Sequence, residues 1–308
     1  MSELSQHEIR ANGLRFNYLE AGEGPLVLLL HGFPDNAWTW EFQAQALASA
    51  GYRAVAPFLR GYPPTEIPAE GGYNVRVLAE DLEALIEALG EDDARVVGHD
   101  WGAVMAYAGM AYSPERIARA VAVAANHPRL FLGLFASPEF LHQSFHLWLF
   151  QLDGYAEGAL SANDFALVDY LWRFWSPQLD ASEHVARVKR ETIVPDGAMA
   201  AALGYYRDLL RLPAADQQAT ETFIRPTEIP TMQIFGADDP IAGPLPDEHA
   251  CFAGPHRSVT LPDAGHFVHR DQPKEVGDLI LQFFAAAPDE LEIEGEEMNG
   301  NKSEQIAR

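Results

Sequence analysis

Three side chains that can carry out nucleophilic catalysis lie in short motifs: Asp100 in G-H-D-W-G, Asp239 in F-G-A-D-D-P and His266 in D-A-G-H-F. A carboxylate is already anionic at neutral pH, so it can attack a saturated carbon without the help of a base. A histidine that is oriented by a second carboxylate can then activate water. These residue types therefore supply a candidate nucleophile, a candidate base and a carboxylate that could orient the base.

The residues around Asp100 are typical of a tight turn between a strand and a helix. Gly98 and Gly102 stand two residues to either side, where neighbouring backbone comes close and side chains must be small. Such a turn aims its central side chain out of the carboxyl end of the sheet, where open α/β sheets bind ligands. Taken alone, the motif favours an aspartate that merely caps the following helix, so the other motifs carry the assignment.

Strand and helix patterns alternate in the first half of the chain and return near its end. Apolar runs predict strands, and the segment 73–90, which has apolar residues at helical spacing, predicts a helix. This alternation predicts a parallel sheet that is covered by helices on both faces. The predicted strands are residues 25–32, 52–61, 94–100, 117–125, 229–240 and 257–267.

The sequence pattern changes between about residues 127 and 226, where aromatic residues at helical spacing replace the β-branched runs. This change predicts a helical insertion into the α/β core. The predicted organisation is a discontinuous core of residues 1–126 and 227–287, a helical cap of 127–226, and an acidic, disordered tail of 288–308.

The excess of acidic side chains limits the kinds of molecule that the protein is expected to bind. The chain has 308 residues with 45 acidic and 21 basic side chains, and its formal net charge is −24. Such a field disfavours nucleic acid, anionic membranes and anionic substrates. The single cysteine, Cys251, excludes an internal disulfide, and no apolar run approaches the ~20 residues of a membrane span. We expect a soluble, cytoplasmic protein.

Together with H-G-F-P-D (residues 31–35), these motifs resemble those of the α/β-hydrolase fold epoxide hydrolases and haloalkane dehalogenases, whose nucleophile is an aspartate. The resemblance covers about residues 8–286. It implies an α/β-hydrolase core, with a mostly parallel sheet of about eight strands and the cap inserted after the sixth strand. It also implies an alkyl ester on Asp100, hydrolysed by water that His266 activates while Asp239 orients the imidazole. Neither a cofactor nor a metal is implied.

The H-G-F-P turn supplies further expected site residues. The resemblance implies that the backbone N–H groups of Phe33 and Trp101 hold the oxyanion, and that the Phe33–Pro34 peptide bond is cis. It also implies a substrate pocket that includes His31, Pro34 and Trp40. As part of the H-G turn, His31 is expected to have a structural hydrogen-bonding role.

Two cap residues match positions that hydrogen-bond the epoxide oxygen in the family. Tyr206 lies in A-L-G-Y-Y-R, and His146 lies in F-H-L-W-L-F-Q-L-D-G-Y-A-E. Most epoxide hydrolases use two tyrosines, so His146 departs from the usual pair. The alternative is that both are packed cap side chains. With Tyr206 and His146 as donors, the expected substrates are a small apolar epoxide and water.

Several alternatives remain beside this interpretation. Asp238 is the neighbour of Asp239, and the family pattern G-x-x-D-P selects Asp239. Among the other histidines, His99 adjoins the nucleophile on the other side of the turn, and His269 is expected at the surface.

A haloalkane dehalogenase is the alternative function, since Trp101 is present, although Phe33 stands where many dehalogenases have asparagine. A fluoroacetate dehalogenase is disfavoured because no arginine follows the nucleophile closely. A non-catalytic ligand-binding homologue is expected to have lost part of the triad, and the triad is complete in this sequence.

Overall fold

An eight-stranded sheet forms the centre of the computed structural model, which describes residues 4–287 and 290–291. The predicted tail, 288–308, lies almost wholly outside the described residues. The strands are β1 (Ser5–Ala11), β2 (Leu14–Ala21), β3 (Leu26–Leu30), β4 (Arg53–Pro57), β5 (Ala94–His99), β6 (Ile117–Val123), β7 (Thr231–Gly236) and β8 (His256–Leu261).

Helices cover the sheet and fill the segment between β6 and β7. Along the described residues they are α1 (Glu41–Ser49), α2 (Val75–Ala88), α3 (Trp101–Tyr112), α4 (Pro128–Leu134), α5 (Pro138–Gln143), α6 (Phe145–Leu149), α7 (Tyr155–Trp175), α8 (Ser182–Val188), α9 (Ala198–Ala215), α10 (Gln217–Phe223), α11 (Val268–Asp271) and α12 (Pro273–Ala285). The seven from α4 to α10 are termed the cap helices. None of the helices in this part of the chain is long and apolar enough to cross a bilayer.

The strand order is β1-β2-β4-β3-β5-β6-β7-β8. The hairpin of β1 and β2 is antiparallel and also pairs antiparallel with β4, whereas the other neighbours are parallel. Every residue of β3 is buried, because this strand lies in the middle of the sheet with layers on both faces. The α/β-hydrolase fold, with its mostly parallel sheet, is confirmed.

Two apolar clusters lie on opposite faces of the sheet, because successive side chains of a strand point to opposite sides. Leu28 belongs to one cluster, and its neighbour Val27 belongs to the other. The cluster of Leu28 also contains Trp175 and Tyr206 from the cap helices. The cap helices therefore share a continuous apolar core with one face of the sheet.

The helix α7 is interrupted within its length. Its backbone leaves helical geometry from Ala162 to Phe165, and three of these four residues have positive φ angles. The part after the interruption, which ends at Trp175, contains the buried side chains Trp172 and Trp175.

Candidate active site

Asp100 occupies the turn between β5 and α3, with φ 51° and ψ −116°. A positive φ strains any residue with a side chain, and such strain is common at functional sites. The turn also requires glycines: a β-carbon on Gly98 would lie 2.2 Å from the Gly102 carbonyl oxygen, and one on Gly102 would lie 2.0 Å from the Leu30 carbonyl oxygen. The result is a carboxylate held just beyond the end of a central strand, with 18% of its side chain still accessible.

One oxygen of this carboxylate is held by the turn that follows β3. The N–H of Phe33 donates to Asp100 Oδ1 at 2.8 Å. The Phe33–Pro34 peptide bond is cis, which confirms that prediction. Trp101 is the first residue of α3, so its N–H has no acceptor within the helix. Of the two predicted oxyanion donors, Phe33 bonds the carboxylate of Asp100, and the Trp101 N–H follows Asp100 directly in the chain.

The loop after β8 places His266 beside the other oxygen. His266 Nε2 lies 3.6 Å from Asp100 Oδ2, and Nδ1 lies 2.9 Å from Asp239 Oδ2. The second oxygen of Asp239 accepts from the backbone N–H groups of Ile241 and Ala242. Asp238 is exposed and accepts a hydrogen bond from a cap side chain instead. His266 thus lies between two carboxylates.

The charges in this cluster stabilise one another. Burial raises the pKa of Asp100, but His266, His99 and the Phe33 N–H outweigh burial, and the pKa lies below its ordinary value. Burial likewise lowers the pKa of His266, but Asp239 and Asp100 outweigh it and raise the pKa to about 10. At neutral pH the pair is therefore a carboxylate and an imidazolium.

The two predicted donors of the cap helices face this cluster from the other side. Tyr206 is buried, and its hydroxyl has no partner of good hydrogen-bond geometry among the described residues, although the nearby Trp101 side chain acts to lower its pKa. Burial and the charge of Asp100 raise the pKa of Tyr206 well above 10, so its hydroxyl keeps its proton. His146 is also buried, and its Nδ1 atom has no partner in the same part of the chain. Burial lowers the pKa of His146 to about 3, although Asp100 opposes this, so the imidazole is neutral.

The structure adds Trp175 to this group. Its ring centroid lies 4.9 Å from that of His146 and 5.2 Å from that of His266, and the His146 and Tyr206 centroids are 5.8 Å apart. The four rings thus form an arc from the donors to the base. The sequence signal for Trp175 is the aromatic segment L-W-R-F-W, which packed core residues share.

The other residues predicted for the pocket differ in their positions. His31 is fully buried, accepts from the Leu59 N–H through Nε2 and pairs with the Gly32 carbonyl through Nδ1, which is a structural role. Pro34 lies in the turn that carries Phe33. Trp40 is fully buried in the apolar cluster on the opposite face of the sheet, so our proposed pocket omits it.

The prediction that His269 lies at the surface is wrong. His269 is fully buried, because α11 packs against the turn at residues 37–40. Its Nε2 atom lies 2.7 Å from the Thr39 hydroxyl. Its ring also lies beside that of His99, whose Nε2 donates to the His266 carbonyl. The buried polar side chains of Thr39, His99 and His269 therefore lie next to His266.

Within the described residues, one group has the composition of a metal site. Asp35, His99 and His269 each place one potential ligand atom within 4.8 Å of the others. All three already have protein partners: His99 Nε2 donates to the His266 carbonyl, His269 Nε2 pairs with the Thr39 hydroxyl, and Asp35 Oδ1 pairs with His184. The expectation that the reaction needs no metal stays a prediction.

Known proteins are similar to this chain over most of its length. The family described as alpha/beta hydrolase fold matches residues 25–273. Epoxide hydrolase 3 of Xenopus tropicalis is 30% identical over 293 residues, which cover 89% of this chain and 76% of the relative. The AB hydrolase superfamily protein YfhM of Bacillus subtilis is 31% identical over 283 residues, covering 89% and 96%.

A solved structure supports the same placement. The crystal structure of epoxide hydrolase VrEH1 from Vigna radiata superposes with a TM-score of 0.77 at 25% identity, covering 92% of this chain and 98% of that one. The fold, the arrangement of His266 between Asp100 and Asp239, and these relatives agree with one another. The chain therefore belongs to the alpha/beta hydrolase fold family and, within it, groups with relatives that are named epoxide hydrolases.

Proposed function

We propose that this hydrolase opens an apolar epoxide to a vicinal diol through a covalent ester on Asp100. The observation that carries the proposal is that the two carboxylate oxygens of Asp100 have different surroundings. Oδ1 accepts from the Phe33 N–H at 2.8 Å, and Oδ2 lies 3.6 Å from His266 Nε2. One oxygen is thus held where an oxyanion would form, and the other is left to attack.

In the first step, Asp100 Oδ2 attacks an epoxide carbon, and the bond from that carbon to the epoxide oxygen breaks. The electron pair of this bond goes to the oxygen, which takes the hydroxyl proton of Tyr206, because an alkoxide is a stronger base than a phenolate. The N–H of His146 donates a second hydrogen bond. The unpartnered Tyr206 hydroxyl and His146 Nδ1 support this role.

Formation of the ester also affects the pKa of His266. Asp100 loses its negative charge when it becomes an ester, and this charge is one of the causes that raise the pKa of His266. The pKa of His266 must then fall, so the imidazole gives up its proton, which restores the hydroxyl of the Tyr206 phenolate, and His266 becomes a base only after alkylation. Asp239 remains to hold the imidazole in place.

In the second step, water attacks the ester carbon of Asp100 and gives a proton to His266. The negative charge develops on Oδ1, where the N–H groups of Phe33 and Trp101 stabilise it. Collapse of this intermediate releases the diol, whose oxygen takes the proton of His266. The proton that remains on the Asp100 carboxyl group passes to His266, which restores the carboxylate and the imidazolium.

The substrate is proposed to be small and apolar. The rings of Phe33 and Phe150 pack edge-on against Tyr206, with centroids 5.5 Å and 5.0 Å from it. These rings give the space in front of Asp100 an apolar wall. We propose that residues 127–226 act as the cap that closes this space and excludes bulk water.

A haloalkane dehalogenase is the second candidate, because the indole Nε1 of Trp175 is buried, has no partner among the described residues, and is a donor that suits a halide. The test is a paired assay with styrene oxide and a short haloalkane. Diol formation without halide release supports the proposal. Halide release without diol formation makes the dehalogenase the correct function, and binding without either product indicates a non-catalytic homologue.

A further inference from the structure

The loop at residues 262–267 carries His266 and is termed the base loop; the end of α7 holds it in place. The His266 N–H donates to the Trp175 carbonyl at 2.8 Å, and the Phe267 N–H donates to Ser176 Oγ at 3.0 Å. A β-carbon on Gly265 would lie 2.2 Å from the Trp175 carbonyl oxygen. Two successive backbone donors of the base loop thus end on a segment about 90 residues earlier in the chain.

Asp271 ties these bonds into one cluster. Its Oδ2 atom accepts from the Ser176 hydroxyl and from the Gly265 N–H, both at 2.9 Å. The Ser176 hydroxyl donates to Asp271 while its oxygen accepts from the Phe267 N–H, so both of its hydrogen-bonding functions are used. Ser176 is 1% exposed, which leaves little room for water to replace the hydroxyl.

The same end of α7 also reaches the turn at residues 31–36, which is termed the oxyanion turn because it carries the Phe33 N–H. Trp172 Nε1 donates to the Pro34 carbonyl at 3.0 Å. The ring of Trp172 stacks on that of Phe267, with centroids 3.5 Å apart and planes inclined by 2°. One cap side chain therefore contacts both the residue after the base and the residue after the oxyanion donor Phe33.

Two further cap residues contact the same turn. His184 Nε2 lies 2.7 Å from Asp35 Oδ1, and the Asn36 side-chain amide donates to the Thr192 hydroxyl at 2.9 Å. All four side chains are buried. Side chains between residues 127 and 226 therefore fix three consecutive residues of the turn, of which Pro34 is held by Trp172.

We propose that Ser176 and Trp172 are positioning residues that set the base loop and the oxyanion turn relative to each other. This inference rests on the proposed function. Hydrolysis of the ester requires His266 and the Phe33 N–H to act on the same carbon from fixed places, and a displacement of 1 Å can cost about 10²-fold in rate. Alkylation depends less on this arrangement, because the carboxylate attacks without a base.

The experiment compares Ser176→Ala, Trp172→Phe and the matched control Ser144→Ala in the full chain. Ser144 is also a buried cap serine, but its hydroxyl bonds only the Phe140 carbonyl within the cap helices. Single-turnover kinetics with styrene oxide measure alkylation and ester hydrolysis separately. We expect both test variants to lose about 10- to 100-fold in hydrolysis, with alkylation changed less than about threefold and Ser144→Ala close to wild type.

A role in folding alone predicts something different. It would lower the rates of alkylation and of ester hydrolysis together. The rates of Ser144→Ala would also fall, in proportion to its loss of thermal stability. That result, or unchanged hydrolysis in both test variants, would overturn the inference.

A second readout does not depend on turnover. The Nδ1 proton of His266 faces Asp239, so its NMR resonance reports the place of the imidazole. We expect this resonance to shift or broaden in Ser176→Ala and to stay unchanged in Ser144→Ala, whether or not an epoxide is opened. If wild-type protein opens no epoxide, the proposed function fails, and this resonance alone decides the positioning role. An unchanged resonance in Ser176→Ala would then refute it.

Discussion

The Nε2 atom of His266 lies 3.6 Å from the Oδ2 atom of Asp100, which is the distance of an ion pair rather than of a hydrogen bond. Oδ2 therefore has no short hydrogen bond to the base that would have to break before it attacks. The two charges still stabilise each other, since the pKa of Asp100 is lowered and that of His266 is raised. In the proposed mechanism, the nucleophile is thus kept ionised by the same residue that later activates water.

Replacing His266 should separate the two steps of the reaction. In His266→Gln, Asp100 can still be alkylated, but water is no longer activated, so turnover should fall by about 10⁴-fold or more. Mass spectrometry of the stalled protein should find one substrate mass added at Asp100. The exposed His142 provides the control His142→Gln, which should turn over normally. An adduct on another residue would contradict the assignment of the nucleophile.

The adjacent aspartates should differ in their importance. Asp239→Asn removes the charge that faces His266 Nδ1, and we expect kcat to fall by about 10²- to 10⁴-fold. Asp238→Asn changes an exposed side chain that contacts Gln178, and its kcat should stay within about twofold of wild type. Steady-state kinetics of both variants test this. Equal losses would show that Asp239 has no special role.

Loss of the two donors should slow the first step more than the second. The charge on the epoxide oxygen develops only during alkylation, and removing one such donor costs about 10²- to 10³-fold in related chemistry. Because the donors partly compensate for each other, Tyr206→Phe with His146→Ala should cost more than either change alone. Pre-steady-state kinetics give the alkylation rate of each variant.

Tyr205→Phe is the control for this comparison. Tyr205 is the buried neighbour of Tyr206, and its hydroxyl donates to the Arg60 carbonyl. Its loss should lower stability without changing the rate of alkylation. Unchanged alkylation in the double variant would instead favour halide as the leaving group, because a halide departs without either donor.

The raised pKa of His266 predicts how stability depends on pH. The folded protein binds this proton more tightly than the unfolded chain, whose histidine titrates near its ordinary pKa of about 6.5. The stabilisation is therefore complete below that value and is lost as the pH rises through the folded pKa of about 10. Between these values wild type should lose up to about 1.4 kcal/mol per pH unit more than His266→Gln. Urea unfolding at a series of pH values measures the difference, and parallel curves would contradict it.

A buried ion pair should contribute to the stability of the core around the site. Arg60 donates two hydrogen bonds of 2.7 Å to Asp81, and both side chains are buried. Asp81→Ala leaves the guanidinium charge buried without its partner, so the free energy of unfolding should fall by about 3–5 kcal/mol. In contrast, Asp278→Ala removes the partner of the exposed Lys274 and should leave the free energy of unfolding nearly unchanged, because water screens a surface ion pair. Denaturant unfolding of Asp81→Ala and Asp278→Ala compares the two.

The catalytic motifs are readable in the sequence because each is short. The turn at Asp100 depends on Gly98 and Gly102, which are only two residues away, and the apolar runs before each motif predict the parallel strands that place it. The parallel strands of the fold follow from the same local patterns. Strands β1 and β2 are less evident, since their exposed positions interrupt any apolar run.

The contacts that hold the site together depend on the tertiary structure. His269 follows His266 by three residues, and nothing in that spacing indicates that α11 turns inward and buries it. Trp172, Trp175 and Ser176 look like ordinary core and helix-end residues, because their partners lie in distant parts of the chain. The sequence by itself determined the candidate reactive side chains, since reactivity follows from residue type and local turn geometry. Only the tertiary structure decided which side chains hold them in place, because that depends on how the cap helices pack against the sheet.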